Sequence, residues 1–400
     1  MLTTILMYLA IPLTSGVIGW GTNVLAIKMM FKPLDFVGIR PVFGWQGIIP
    51  ARAPKMAAIC VDLMTAKLLD IEQVVERIEP ERVASELRPL LESMTREIVD
   101  DVIANHYPRL WDRVPKRVKK QTFARIEKEI PEVVEKIVQD IHTNVHDLLD
   151  VRKMVIDAFV ENRELLNELF MRCGHKEFDF IGRSGLWFGL MFGLVQMTIW
   201  VFFKPWWLLP LAGLLVGYAT NWLALKMIFE PLEPRKIGPW SWQGLFLKRQ
   251  NEVAKEYAEV FAQQVLKPEN IMANILRGPA SDLLFSIVQD HLKDAMDGAS
   301  GRGQPILKWV VGSEKYEVMK QAICNRIVVQ LPKSVSSLYE YTEEAMDLEG
   351  TLRTNLQKLT PIEFEKILRP IFQEDEWILI LVGAILGALA GFGQLIFLFS

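Results

Sequence analysis

Two histidines, His142 and His146, stand four residues apart, with Asp147 and Asp150 close behind. On a helix this spacing presents both imidazoles on one face, as a metal site would require. The glutamate of an HExxH signature is missing, and the corresponding later stretch around Tyr339 to Ala345 holds no histidine. The reading is exposed helix histidines and no metal. The run Gly298-Ala299-Ser300-Gly301-Arg302-Gly303 lacks the Gly-Lys-Ser/Thr ending that sets a lysine on phosphate, so it reads as a linker between helices. Cys60, Cys173 and Cys324 are far apart and form no CxxC pair, which suits small apolar side chains in a reducing compartment. No serine–histidine or paired-carboxylate arrangement is identifiable. The expectation is a non-enzyme with no catalytic residue and no cofactor.

Other polar residues sit in an apolar setting. Asn23 and Asn221 each lie five residues before a lysine, Lys28 or Lys226, and each follows a threonine, Thr22 or Thr220. An unsatisfied amide in hydrocarbon costs on the order of 2–7 kcal/mol. Each asparagine therefore needs a partner, and a symmetry-related Asn or Thr is the expected one. Two readings stand. Either Thr-Asn ties two helices together while the lysine marks the membrane boundary, or these six residues form a site for a lipid headgroup or a small polar solute.

The elements that hold these residues are four nearly charge-free stretches: Leu2 to Ile27, Gly185 to Phe203, Trp206 to Leu225 and Trp377 to Phe399. Each is long enough to cross a bilayer, which takes ~20 apolar residues. The first lacks the basic start and small-residue cleavage site of a secretory signal, so it reads as an uncleaved span. The short link Lys204-Pro205 makes the second and third a helical hairpin. Four spans put the charged lobes, 29–184 and 227–376, on the same side. Lys28, Lys32, Arg40, Lys226, Arg235 and Lys236 closely follow spans one and three, so positive-inside counting puts both lobes in the cytoplasm and both termini outside. A net charge of −3 argues against a nucleic-acid partner.

The chain also repeats itself. PLTSGVIGWGTNVLAIKMMFKPL, from Pro12, aligns without a gap on PLAGLLVGYATNWLALKMIFEPL, from Pro210, and matches at about half its positions. Trp45-Gln46-Gly47 then meets Trp242-Gln243-Gly244, and Arg52 meets Arg249. At the far end Gly185, Gly189, Gly193 and Gln196 correspond to Gly383, Gly387, Gly391 and Gln394, both reading GxxxGxxxGxxQ. The expected fold is an all-α membrane protein of two tandem parallel repeats, 1–203 and 204–400, each a span, a lobe and a returning span. Glycines every fourth residue let another backbone approach, so these faces should pack on each other or on spans one and three, with Gln196 and Gln394 bonding across a helix contact.

Within the lobes the apolar residues keep a helical period: Val83, Leu87, Leu90, Leu91, Met94, Ile98 and Val102 in one helix, and Ile130, Val133, Val134, Ile137, Ile141, Val145 and Leu148 in another. Leu283, Leu284, Ile287, Val288, Leu292 and Met296 repeat the pattern later. Pro80, Pro131, Pro268 and Pro332 suit helix starts. The apolar faces must meet each other, the bilayer surface or a bound lipid. The basic cluster Arg109, Arg113, Lys116, Arg117, Lys119 and Lys120 is either a solvated face or a site for anionic headgroups. The Gly/Pro/Trp-rich passages to about Pro50 and Leu247 read as segments along the membrane surface.

With its doubled TNxLAxKMxFxPL motif, the WQG behind it, and the closing GALAGFGQ after PIEFEKILRPIFQEDEW, the whole chain resembles the bacterial membrane family called domain of unknown function 445. That resemblance implies a bacterial plasma-membrane protein and carries no activity. The expected function is an integral membrane protein whose cytoplasmic helical lobes bind membrane lipid, the membrane surface or a protein partner, possible partners including a second copy. The alternative is a transporter with a solute site between the repeats near Asn23 and Asn221.

Overall fold

A computed structural model of the chain describes residues 2–39, 43–106, 115–237, 240–300, 313–373 and 376–399. Arg40, Arg109, Arg113 and residues 301–303 of the glycine-rich run lie outside the described residues. The long helices are α1 (Leu2–Phe31), α2 (Pro80–His106), α3 (Lys116–Thr143), α4 (Arg163–Phe202), α5 (Leu208–Phe229), α6 (Ser281–Ser300), α7 (Ser313–Ser334) and α8 (Glu376–Phe399). Gly298, Ala299 and Ser300, expected in a linker, form the last turn of α6.

The chain forms two compact units, and each draws on both 1–203 and 204–400. One comprises Met1–Leu68, Val155–Gln264 and Glu349–Ser400; the other comprises Leu69–Met154 and Val265–Leu348.

In the first unit α1 packs along α4 and α5 along α8, with α4 against α5 and α1 against α8. These four helices are long and apolar enough to cross a membrane. Their burial is inverted relative to a water-soluble bundle. Leu13, Val17, Trp187, Val195, Leu389 and Ile396 are exposed, while Ser15, Thr22, Asn23, Gln196, Thr220, Asn221 and Gln394 are buried. A surface this apolar needs lipid around it. The chain is thus a multi-pass, essentially all-helical membrane protein. The helix that carries the second apolar stretch is longer than that stretch: α4 begins at Arg163 and runs unbroken through Phe202, because nothing between them removes a backbone donor. The passages after α1 and α5 fold as short antiparallel hairpins. β1 (Val37–Ile39) pairs with β2 (Phe43–Trp45), and β3 (Arg235–Ile237) with β4 (Trp240–Trp242).

In the second unit α2, α3, α6 and α7 close a ring, each packing on the next: α2 on α3, α3 on α6, α6 on α7 and α7 on α2. The periodic residues face inward, with Val83, Leu87, Ile130, Val134, Leu284 and Val288 in one core. The break at Asn144 puts Val145 and Leu148 in a separate turn, still buried. Pro80 and Pro268 begin helices, but Pro131 and Pro332 lie inside α3 and α7. An interior proline costs about 3 kcal/mol. In α3 this is offset by Ile130 and Val134, which are buried on either side of Pro131 and hold the helix in one piece. Pro268–Arg277 and Ser281–Gly298 together are apolar enough for a fifth span, but they meet at 80° and their apolar positions Leu276, Leu284 and Val288 are buried in this core.

Candidate functional site

Within the membrane unit the glycines mark where backbones touch. A Cβ on Gly185 would run into the Gly19 carbonyl, one on Gly189 would sit 2.5 Å from the Ser15 oxygen, and one on Gly193 2.6 Å from Pro12 Cα. On the other pair, Gly383 meets Gly217 and Asn221, Gly387 meets Gly213, and Gly391 meets Leu209. The GxxxG faces therefore lie on spans one and three rather than on each other. Gln196 joins them: it accepts from Ser15 Oγ at 3.2 Å and its Nε2 donates to Gln394 Oε1 at 3.3 Å. Gln394 Nε2 in turn donates to Thr14 Oγ1 at 2.8 Å.

The asparagines do not pair with each other. Asn23 Nδ2 donates to the Ile181 carbonyl and Asn221 Nδ2 to the Leu379 carbonyl, both at 2.8 Å. Each of those carbonyls lies one turn before a glycine, Gly185 or Gly383. A Cβ at Gly185 would sit 2.6 Å from the Asn23 amide nitrogen. The missing side chain thus opens the carbonyl to a second donor, and the amide nitrogen finds its acceptor there rather than on a symmetry mate. Thr22 and Thr220 donate back to Gly19 and Gly217, three residues earlier. Asn23 Oδ1 and Asn221 Oδ1 are buried without a protein partner. Lys28 and Lys226 are exposed, and Lys226 lies 5.0 Å from the Trp222 ring and 3.9 Å from Glu230.

The repeated FxPL and WQG strings form a clasp at the helix ends. Gln46 Nε2 donates to Leu34 O and the Gly47 amide to Pro33 O; Gln243 and Gly244 do the same to Leu232 and Pro231. Sequence reasoning missed an ion-pair row beside it. Arg172 meets Glu256 and Glu259, Lys176 meets Glu252, and Arg249 bridges Glu252 and Glu177 at 2.9 and 2.5 Å. Glu252, Glu256 and Glu259 share one face of the helix Gln250–Val260 and its continuation, opposite Arg172 and Lys176 one turn apart on α4. Hydrogen bonds from Arg249 and Lys176 hold the Glu252 carboxyl at about 2. Glu177 and Arg249 are the most buried members, at 4% and 13% side-chain exposure.

The four-helix ring of the second unit is not closed to packing density. It lines a cavity of about 660 Å³ that is partly open to solvent, within the ~300–1,000 Å³ range of ligand pockets. Its wall is almost wholly apolar. Val99, Ile130, Val134, Ile137, Leu284, Val288 and Ile323 contribute from α2, α3, α6 and α7. Polar groups gather along the first half of α3 and the facing part of the wall: Gln121, Arg125 and Glu129 from α3 and Thr95 from α2. Gln121 and Arg125 are the exposed lining residues, so among the described residues the cavity meets solvent at this end, its mouth. Burial raises the Glu129 pKa, helped by Glu132 and opposed by Arg125. At the far end His142 lines the cavity. Its Nε2 is buried without a partner, and burial lowers its pKa against the pull of Glu76. His146 points elsewhere, to Glu72 at 2.9 Å. Among the described residues no cluster of three metal-ligating side chains occurs. Burial pushes the Cys60 thiol up to about 12, so it is an inert core group.

Comparison with known proteins points the same way as the spans. No family model matches the chain. No solved structure matches it. It is similar to proteins called UPF0754 membrane proteins. Over 78 residues it is 36% identical to one from Synechococcus sp. (strain JA-2-3B'a(2-13)), covering 19% of this chain and 18% of that one. Over 118 residues it is 28% identical to one from Cyanothece sp. (strain PCC 7425 / ATCC 29141), covering 28% and 29%. Over 135 residues it is 27% identical to one from Bacillus thuringiensis (strain Al Hakam), covering 33% and 35%. The chain thus spans between about a fifth and a third of the length of the curated relatives it matches. Those relatives are bacterial membrane proteins, and the narrower name, domain of unknown function 445, rests on the motifs alone.

Proposed function

We propose that this protein is a non-enzymatic lipid-handling membrane protein whose second unit takes the acyl part of a lipid into its cavity. The single observation that carries this is the apolar space of about 660 Å³ inside the ring of α2, α3, α6 and α7. Native cores fill their interiors to near crystal density, and an unfilled apolar volume forfeits roughly 24 cal/mol per Å³. Apolar wall left to water loses the stabilisation that burial would give it, so an occupant that offers hydrocarbon contacts fits it best. In this reading the two halves of the chain are tandem parallel repeats in the bacterial plasma membrane. Both helical lobes face the cytoplasm, and the polar motifs around Asn23 and Asn221 hold the spans together.

The transporter alternative has less to support it. The amide nitrogens of Asn23 and Asn221 are already engaged. The cavity at that end of the bundle, lined by Ile27, Leu225, Glu177 and Glu376, holds about 30 Å³, room for little more than one water.

Narrowing the ring tests the lipid reading. Val134→Trp, at a buried wall position, is expected to remove the acyl lipid that co-purifies with the wild-type protein in mild detergent, read by native mass spectrometry. Retention of the same lipid at the same stoichiometry, with the thermal midpoint unchanged, would count against it.

A further inference from the structure

The polar groups of the cavity are distributed unevenly, and this says which end of a lipid goes where. Arg125 and Gln121 stand at the mouth, one turn apart on α3, and Arg117 continues the same i, i+4 row toward the helix start. Lys116, Lys119, Lys120 and Lys128 add positive charge to these first turns, with Glu127 the one acid between residues 116 and 128. Two acids of these helices are engaged by other cations. Glu127 accepts from Arg96 at 2.7 Å, and Asp297 accepts from Lys320 at 2.5 Å. Glu129 is half-buried in the wall, and burial raises its pKa against the pull of Arg125. The opposite end offers only His142 and Thr342 among apolar side chains.

Resting on the acyl-binding reading, we infer that the cavity is directional: it takes an anionic acyl lipid, with the head on Arg125 and Gln121 at the mouth and the tail toward Leu148 and Ile271. Arg125 supplies a planar fork of donors that matches a carboxylate or phosphate. Gln121 supplies a neutral donor beside it. The row of cations behind them draws anionic amphiphiles to the mouth before the tail enters. The apolar wall then holds the chain through contacts that do not depend on the head.

The experiment uses full-length protein in neutral detergent and three probes with one chain and different heads: hexadecanoate, hexadecanol and hexadecylamine. Wild type is expected to bind hexadecanoate roughly tenfold more tightly than hexadecanol, the scale of one charge-assisted hydrogen bond, and hexadecylamine more weakly than either. Arg125→Glu, at an exposed position, is expected to reverse the order of acid and amine and leave the alcohol unchanged. Val134→Trp is expected to weaken all three together. Equal wild-type affinity for acid and alcohol would overturn the directional inference and leave the acyl reading intact. So would a preference that moves with His142→Phe instead of Arg125→Glu. Binding of all three probes that is indifferent to Val134→Trp would overturn the acyl reading itself.

Discussion

Gly185→Val is expected to prevent the four-span unit from assembling, with Gly383→Val doing the same to the other pair. At Gly185 the obstacle is backbone: a Cβ would enter the space of the Gly19 carbonyl and press on the Asn23 amide. No flexible side chain stands there to move aside. The helices would have to separate, loosening the contacts of Gly189 and Gly193 and the Asn23–Ile181 hydrogen bond. Overpacking costs about 1–3 kcal/mol where side chains can yield, and more where backbone must shift; a lost interhelical hydrogen bond adds roughly 0.6–1.7 kcal/mol. Against a total stability of about 5–15 kcal/mol, folded protein should fall to a small fraction of wild type by fluorescence-detected size exclusion. Gly21→Ala, where a Cβ would meet nothing within 4 Å, is the control and should leave the yield unchanged. A Gly185→Val protein that elutes and melts like wild type would remove the close helix contact from the account.

Arg249→Met should be nearly as damaging, for an electrostatic reason. Glu177 is almost sealed from solvent, and Arg249 is its partner at 2.5 Å. Removing one member of such a pair strands the other charge, at a cost of about 3–5 kcal/mol. The thermal midpoint in detergent should drop sharply. Adding Glu177→Leu should restore most of the loss, since no buried charge is left to compensate. The restoration should be partial, because Arg249 also holds the more exposed Glu252. A double variant as unstable as Arg249→Met alone would mean that the arginine acts through packing rather than through charge.

These two sites differ in how far they could be read from sequence. The spans and the glycine stripes are legible because lipid imposes a one-dimensional rule: about 20 apolar residues, with small residues where backbones touch. The asparagine partners are not, because the acceptors are main-chain carbonyls of Ile181 and Leu379, and carbonyls are the same at every residue. A signal was nonetheless present: the same glycine stands 162 residues after each asparagine, at Gly185 and Gly383. The ion-pair row stayed hidden for another reason. Arg172, Lys176 and the glutamates 252, 256 and 259 look like ordinary solvated helix faces until two distant segments are set side by side. Pro131 was legible as a helix start by local rules and proves to be interior, because burial of Ile130 and Val134 outweighs the local penalty.

The cavity is the least legible feature of all. The spacing of Leu87, Val134, Leu284 and Val288 is the same for a filled core and for a hollow ring. Periodicity fixes which face is apolar and says nothing about how closely four such faces approach. Only the packing of α2, α3, α6 and α7 decides between a closed bundle and a container.

The most direct measurement is therefore to trap the occupant in place, using a fatty acid with a photoreactive diazirine at the tail end in membranes containing the full-length protein. Crosslinked peptides from residues 138–149 and 271–284, which line the far end of the cavity, are the result the account predicts. Crosslinks confined to lipid-facing positions of the spans, such as those around Leu13, Val195 and Ile396, with the second unit unlabelled, would contradict it.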